Sequence, residues 1–238
     1  MSSVATFARS SVGKKVLVAL TGLMLFGFLI VHLVGNLTLF IPNAEHPGEA
    51  FNHYAHFLEG LLHGWLIYIF EVGLIAFFGI HAVYAITVAL LDKNKARPQK
   101  YAVVRNAGGK SRKTLASRSM ILTGPIILVF VILHVKMFKF APELANTPHG
   151  EIKDLYAVVW NAFQNPAIVA AYMAVMILLG MHLFHGVWSA FQSMGWNSDR
   201  HIKTLTTISW IAGVVLGLGF LVLPLYMMFL AAAPLGGH

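Results

Sequence analysis

The sequence predicts an all-α integral membrane protein with five transmembrane helices. Three observations carry that prediction. Of 238 residues, 58% are hydrophobic and only 11% charged, and the mean hydropathy is +0.72. A soluble domain of this length needs more charge to cover its surface. Five apolar runs, at 16–40, 65–91, 120–138, 167–191 and 208–231, each reach the roughly 20 residues that a bilayer-spanning helix requires. None of the runs alternates strictly between apolar and polar residues, which argues against the strands of a membrane barrel.

The elements follow in order. The first run begins after Lys14-Lys15. It is longer than a signal-peptide core and lacks a small-residue cleavage site, so it is expected to remain as a span. Between the first and second runs comes Pro42 and then "AFNHYAHFLEGLLHGW". Its apolar residues recur at helical spacing, which predicts a short interfacial helix at about 49–63. The segment 92–118 is polar and turn-rich, with Arg97-Pro98 and Gly108-Gly109-Lys110. Pro166 suits the first turn of the fourth helix. Trp65 and Trp160 fall at one membrane interface and Trp196 at the other, as an aromatic belt requires. Residues 1–238 read as a single transmembrane domain, four of whose helices form a bundle.

Charge orients the chain. If five helices alternate, fourteen of the seventeen Lys and Arg fall on one side: three before the first helix, nine in 92–118, and Arg200 and Lys203. The other side holds Lys136, Lys139 and Lys153, with six of the nine acids. The positive-inside rule places the N-terminus in the cytoplasm and the C-terminus outside. The basic loop serves topology, and it also offers a docking surface to a partner. There is no cysteine. That excludes disulfides, iron–sulfur ligation by this chain and thioether-linked haem.

Twelve histidines remain to be explained. Seven lie in loops, helix ends or the tail and read as solvated or interfacial. His32, His81, His134, His182 and His185 lie inside apolar runs, where an ionisable group is costly and marks function. His32 is seventeen residues past Lys15 and His134 sixteen past Arg118, or about 25 Å from the inner face at about 1.5 Å per residue. By the same rise His81 and His182 sit about 14–17 Å from it. Two levels therefore carry two imidazoles each. The intervals also hint at a duplicated two-helix unit: 49 residues from His32 to His81 and 48 from His134 to His182.

Two facing imidazoles at one depth suit a six-coordinate b-type haem, whose porphyrin supplies four nitrogens in plane. This reading pairs His32 with His134 around an outer haem and His81 with His182 around an inner one, giving a haem-binding bundle. A macrocycle needs small neighbours, and Gly27 and Gly35, with Gly22, Gly79, Gly180 and Gly186, offer them; helix packing alone would also use glycine there. Zinc fits less well, because two histidines leave its tetrahedral site half empty. His185 is three residues from His182 and on nearly the same helix face. On spacing alone either one ligates, and the other is free to hold a propionate or line a quinone pocket.

The stretches "FLIVHLVGN", "GIHAVYA", "ILHV" and "GMHLFHGVWSAF", with the opening "SSVGKKVLVALTGL", resemble the motifs of a known family. It is the single-chain, five-helix, di-haem cytochrome b anchor of succinate dehydrogenase and fumarate reductase. The resemblance covers nearly the whole chain. It implies that His32, His81, His134 and His182 are the axial ligands, with His182 rather than His185 at the ligand position. It implies a flavoprotein subunit and an iron–sulfur subunit on the cytoplasmic side of a prokaryotic inner membrane, and a higher oligomer of that complex is compatible with it. It also implies a quinone substrate, taken as menaquinone, and no nucleic-acid partner. Succinate chemistry would then occur in the partners, and this chain would carry electrons between the iron–sulfur subunit and quinone.

Quinone chemistry needs a proton donor or acceptor beside the ring. Glu71, the acid within a predicted span, lies ten residues before His81 and near the outer level. An acid at that depth is readily protonated, which suits proton exchange with a quinol; a carboxyl that hydrogen-bonds another helix is the equal alternative. Trp188, Ser189 and Gln192 near the inner level form a competing quinone site. Other quinone-linked cytochromes b, such as hydrogenase or formate dehydrogenase anchors, are the alternative function. A bc-type cytochrome is disfavoured, since it carries two ligands on each of two helices. A proton-relay transporter would need more intramembrane acids.

Overall fold

The computed structural model describes residues 3–92, 114–141, 154–196 and 198–235. Among them there is no strand. Helix α1 (Ser3–Arg9) precedes α2 (Ser11–Asn36), which runs on as a 3-10 turn at Leu37–Phe40. Then come α3 (Glu49–Gly60), α4 (Trp65–Ile86) with a π-helical turn at Thr87–Asp92, and α5 (Leu115–Phe138). The short α6 (Leu155–Phe163) leads to α7 (Pro166–Ser193) and α8 (Asp199–Phe229). Among the described residues, five helices are long and apolar enough to cross a membrane. The protein is an all-α integral membrane protein, as its composition predicts.

The five spans coincide with the five apolar runs, but their ends extend further. α2 starts at Ser11 rather than 16, α5 at Leu115 rather than 120, and α8 at Asp199 rather than 208. The reason is that hydropathy marks only the part of a helix in hydrocarbon, whereas backbone hydrogen bonding continues to the cap. Ser10 accepts the Gly13 amide at 3.0 Å, and Thr114 accepts that of Ser117 at 3.1 Å. Asn165 accepts that of Ala167 at 2.9 Å, with Pro166 in the first turn of α7. Each such cap satisfies one orphan donor of its helix.

A helix forms where the short interfacial one is expected, but it stops at Gly60 rather than 63. The chain then turns through Leu62 and His63, both with left-handed backbone, before α4. α6 is an element that hydropathy alone does not single out. Its start is set by Asp154, whose carboxylate accepts the Ala157 amide at 3.0 Å. α3 and α6 lie together at one end of the bundle. Asn52 donates to Asp154 at 2.9 Å and accepts the Tyr156 amide at 2.9 Å. The Tyr156 hydroxyl in turn donates to the Ala232 carbonyl at 2.6 Å. This capped end is the one that charge assigns to the outside.

Packing centres on α7. It contacts α8 most extensively and also meets α2 and α5. A Cβ on Gly213 would lie 2.6 Å from the Gly180 carbonyl oxygen, so the two backbones touch where they cross. Between membrane helices such van der Waals contact replaces the hydrophobic drive that lipid removes. Leu179, Leu183, Leu216, Phe220 and Leu223 surround this crossing in the core, which continues to Leu33 on α2. α4 has no buried residue. It leans on α2 and leaves most of its surface for lipid.

Candidate functional site

The bundle brings the four predicted histidines together as two pairs, each drawn from two different spans. At the level nearer the capped end, the rings of His32 (α2) and His134 (α5) have centroids 5.9 Å apart and planes at 89°. At the other level, His81 (α4) and His182 (α7) have centroids 6.4 Å apart and planes at 64°. Of the two neighbouring histidines on α7, it is His182 that faces His81. His185 is half-buried one turn further along.

These spacings test whether an iron fits between the rings. A histidine–metal bond is about 2.0–2.1 Å, and a ring nitrogen lies about 1.2 Å from its own centroid. Two imidazoles on opposite sides of one metal should therefore have centroids about 6.4–6.6 Å apart. The observed 6.4 Å falls at the edge of that range and the observed 5.9 Å about 0.5 Å below it. Among the described residues no group of three or more His, Cys, Asp or Glu converges. A metal held by either pair would thus need its other ligands from outside those residue types.

Three of the four rings are oriented by a bond at Nδ1. His81 Nδ1 lies 3.1 Å from the Val18 carbonyl, to which it donates. His182 Nδ1 lies 3.2 Å from the Thr123 hydroxyl, and that hydroxyl is fully buried. His134 Nδ1 lies 3.3 Å from the Tyr172 hydroxyl, which itself donates to the Met137 sulfur at 3.8 Å. A proton on Nδ1 leaves Nε2 with a free lone pair, the arrangement a ligating histidine requires. His32 is instead held by rings: Phe28 stacks on it at 5.3 Å and Phe220 approaches at 5.7 Å.

The small residues divide by role. A Cβ on Gly22 would lie 2.9 Å from Cε1 of His81, so this glycine lets the imidazole lie against α2 and reach Val18. A Cβ on Gly27, Gly79 or Gly186 would meet nothing within 4 Å, and Gly79 is exposed. Gly35 does not contribute such room, because the Tyr54 ring occupies it at 2.5 Å. Gly180 likewise serves the crossing of α7 and α8.

The candidate quinone residues are placed less tightly. Glu71 of α4 is not a lone acid: it forms an ion pair with Lys139, just past the end of α5. That contact is of the kind expected by the alternative reading of Glu71 as a carboxyl bonded to another helix. Lys139 lies five residues, about one and a half turns, from His134, so spacing along α5 signals its level, but not its reach to α4. Trp188, Ser189 and Gln192 are half-buried on the last turns of α7, toward the open end. The predicted docking loop falls mostly at 93–113, outside the described residues.

No protein-family model matches the chain, and no solved structure matches it. Among curated proteins, it is 29% identical over 195 residues to a "Succinate dehydrogenase cytochrome b558 subunit" of Bacillus subtilis (strain 168). That similarity spans 80% of this chain and 85% of the Bacillus protein. It supports the resemblance carried by the four histidine motifs.

Proposed function

We propose that this chain is the membrane-anchor cytochrome b subunit of a succinate:quinone oxidoreductase, with two b-type haems. The observation that carries the reading is the pair of imidazole pairs, 5.9 Å and 6.4 Å apart, drawn from four separate spans. His32 and His134 would hold one haem, and His81 and His182 the other. When bound, a haem iron supplies one-electron exchange between its two oxidation states.

The chain's own residues do the rest. Val18, Thr123 and Tyr172 keep a proton on Nδ1 of their histidines, so that Nε2 stays free for the metal. The aromatic wall of Phe28, Phe130, Phe138 and Phe220 excludes water from the pair nearer the capped end. Exclusion of water and fixed ligand orientation are the protein's levers on a haem's potential. The basic surface is taken as cytoplasmic, where it faces a flavoprotein subunit and an iron–sulfur subunit. The capped end is then external. Glu71 with Lys139 is the preferred place for proton exchange with a quinone such as menaquinone, since the pair joins a carboxylate to an ammonium at one membrane level. Trp188, Ser189 and Gln192 remain the competing site.

The test is a dithionite-reduced minus oxidised spectrum of the purified chain, with haem quantified per polypeptide. Two b-type haems are expected. His32→Ala and His81→Ala, made separately, should each remove a different one. A well-folded chain that binds no haem overturns the reading.

A further inference from the structure

The chain repeats itself. Thr21-Gly22, Phe28 and His32 on α2 recur as Thr123-Gly124, Phe130 and His134 on α5, all at one offset of 102 residues. His81 on α4 recurs as His182 on α7 at an offset of 101. The two copies make the same contacts. Thr21 Oγ1 lies 3.5 Å from His81 Nδ1, and Thr123 Oγ1 lies 3.2 Å from His182 Nδ1. A Cβ on Gly22 would lie 2.9 Å from Cε1 of His81, and one on Gly124 would lie 4.0 Å from Cε1 of His182. Phe28 meets His32 at 5.3 Å, and Phe130 meets His134 at 5.7 Å. Exchanging the copies maps each histidine pair onto itself. An approximate twofold axis therefore relates α2 and α4 to α5 and α7, and it runs between the rings of both pairs.

The second copy has one contact more. Tyr172 stands ten residues before His182, and its hydroxyl lies 3.3 Å from His134 Nδ1. Ten residues before His81 stands Glu71. The register agrees. α4 packs on α2, and His81 lies beside Thr21. From that level the ten residues back to Glu71 span about 15 Å, and the eleven from Thr21 to His32 span about 16 Å. Glu71 thus arrives at the level of His32, on the neighbouring helix. His32 is also the ring without a polar partner: among the described residues it meets Phe28, His134 and Phe220, and no hydrogen bond reaches its nitrogens. Lys139 pairs with Oε1 of Glu71, which leaves Oε2 to accept a second donor.

We propose that Glu71 is the positioning residue of His32, the counterpart of Tyr172 for His134. With Nε2 turned to a metal, His32 Nδ1–H donates to Oε2 while Lys139 holds Oε1. This deepens the function proposed above and rests on it, because a ligating ring is what needs orienting. The role is separate from proton exchange with a quinone.

The test uses the complete complex in membranes. Haem per polypeptide is measured first on the unaltered protein, so that a failure of the cytochrome reading shows before any substitution. Glu71→Leu then removes the acceptor, Glu71→Tyr supplies the group that the second copy uses, and Lys139→Leu removes only the other partner. Two quantities are read for the haem that His32→Ala abolishes: its rate of transfer to apomyoglobin and its midpoint potential. Glu71→Leu should release that haem about tenfold faster or more, as expected when a ligand loses its outer partner. Its potential should rise, because the imidazole loses an anionic acceptor that favours oxidised iron. The other haem should keep both values. Glu71→Tyr should restore slow release, and Lys139→Leu should leave it slow. Unchanged release and potential in Glu71→Leu overturn the proposal. So does release in Glu71→Tyr or Lys139→Leu as fast as in Glu71→Leu, since the ion pair and not the histidine would then be what matters. Should Glu71→Leu fail to assemble, Glu71→Gln keeps an acceptor oxygen without the charge. Haem is then retained with a raised potential, and an unmoved potential overturns the proposal equally.

Discussion

Substituting Gly22 with alanine should damage one haem site and spare the other. The new Cβ would lie 2.9 Å from Cε1 and 3.2 Å from Nδ1 of His81. Ordinary carbon contacts begin near 3.5 Å, so the ring must retreat from α2 by about 0.5 Å or more. The Val18 carbonyl that accepts from His81 Nδ1 is also on α2, at 3.1 Å. A retreat of that size stretches the bond to about 3.6 Å, where it no longer counts as one. The loss combines about 0.5–1.5 kcal/mol for the hydrogen bond with about 1–3 kcal/mol for overpacking. Haem affinity at the His81/His182 site should fall by roughly tenfold to two-thousandfold. The assay is haem per polypeptide together with a redox titration of both haems. The expected result is loss or altered potential of one haem, with the one held by His32 and His134 unchanged. Full occupancy with both potentials unmoved would refute the role given to Gly22 and to the Val18 bond.

Three further outcomes are expected. Tyr172→Phe keeps the ring that packs on Phe130 and Phe163 but removes the acceptor of His134 Nδ1. Haem should leave the His32/His134 site about tenfold faster, in line with other losses of a ligand's outer partner; haem transfer to apomyoglobin measures this. Asn52→Ala leaves the Tyr156 amide without its acceptor and unties α3 from α6. It should lower stability by about 1–3 kcal/mol, read from denaturant unfolding in detergent. Burial, and then Tyr226 and Asp154, push the Tyr156 phenol up to about 12, whereas in an unfolded chain a tyrosine titrates near 10. The unfolded state thus loses this proton first. The Tyr156 contribution is intact below about pH 10 and declines as pH rises towards 12. Over that interval, Tyr156→Phe should lose less stability than the unaltered chain.

Much of the site was legible because depth in a membrane is a one-dimensional quantity. Rise per residue, counted from the basic ends, placed His32 with His134 and His81 with His182, and the ring contacts follow that pairing. Spacing could not choose between His182 and His185, since both lie on one helix face. That choice depends on how α7 is rotated toward α4. The outer partners were hidden for the same reason: Val18, Thr123 and Tyr172 meet their histidines across helices, and no local pattern marks such an encounter.

What the sequence determined by itself is whatever depends on distance along the chain and on transfer to lipid. That includes five spans, their order and the two levels of imidazole. Only the tertiary structure decided what depends on azimuth. It turned Gly22 toward His81 and filled Gly35 with Tyr54. It gave Glu71 a partner in Lys139, and it set α6 above the His32/His134 pair. Hydropathy is nearly blind to rotation when lipid and protein interior are equally apolar, as they are around these helices. The rotation is set by close packing at contacts such as Gly180 on Gly213, which form only when the helices meet.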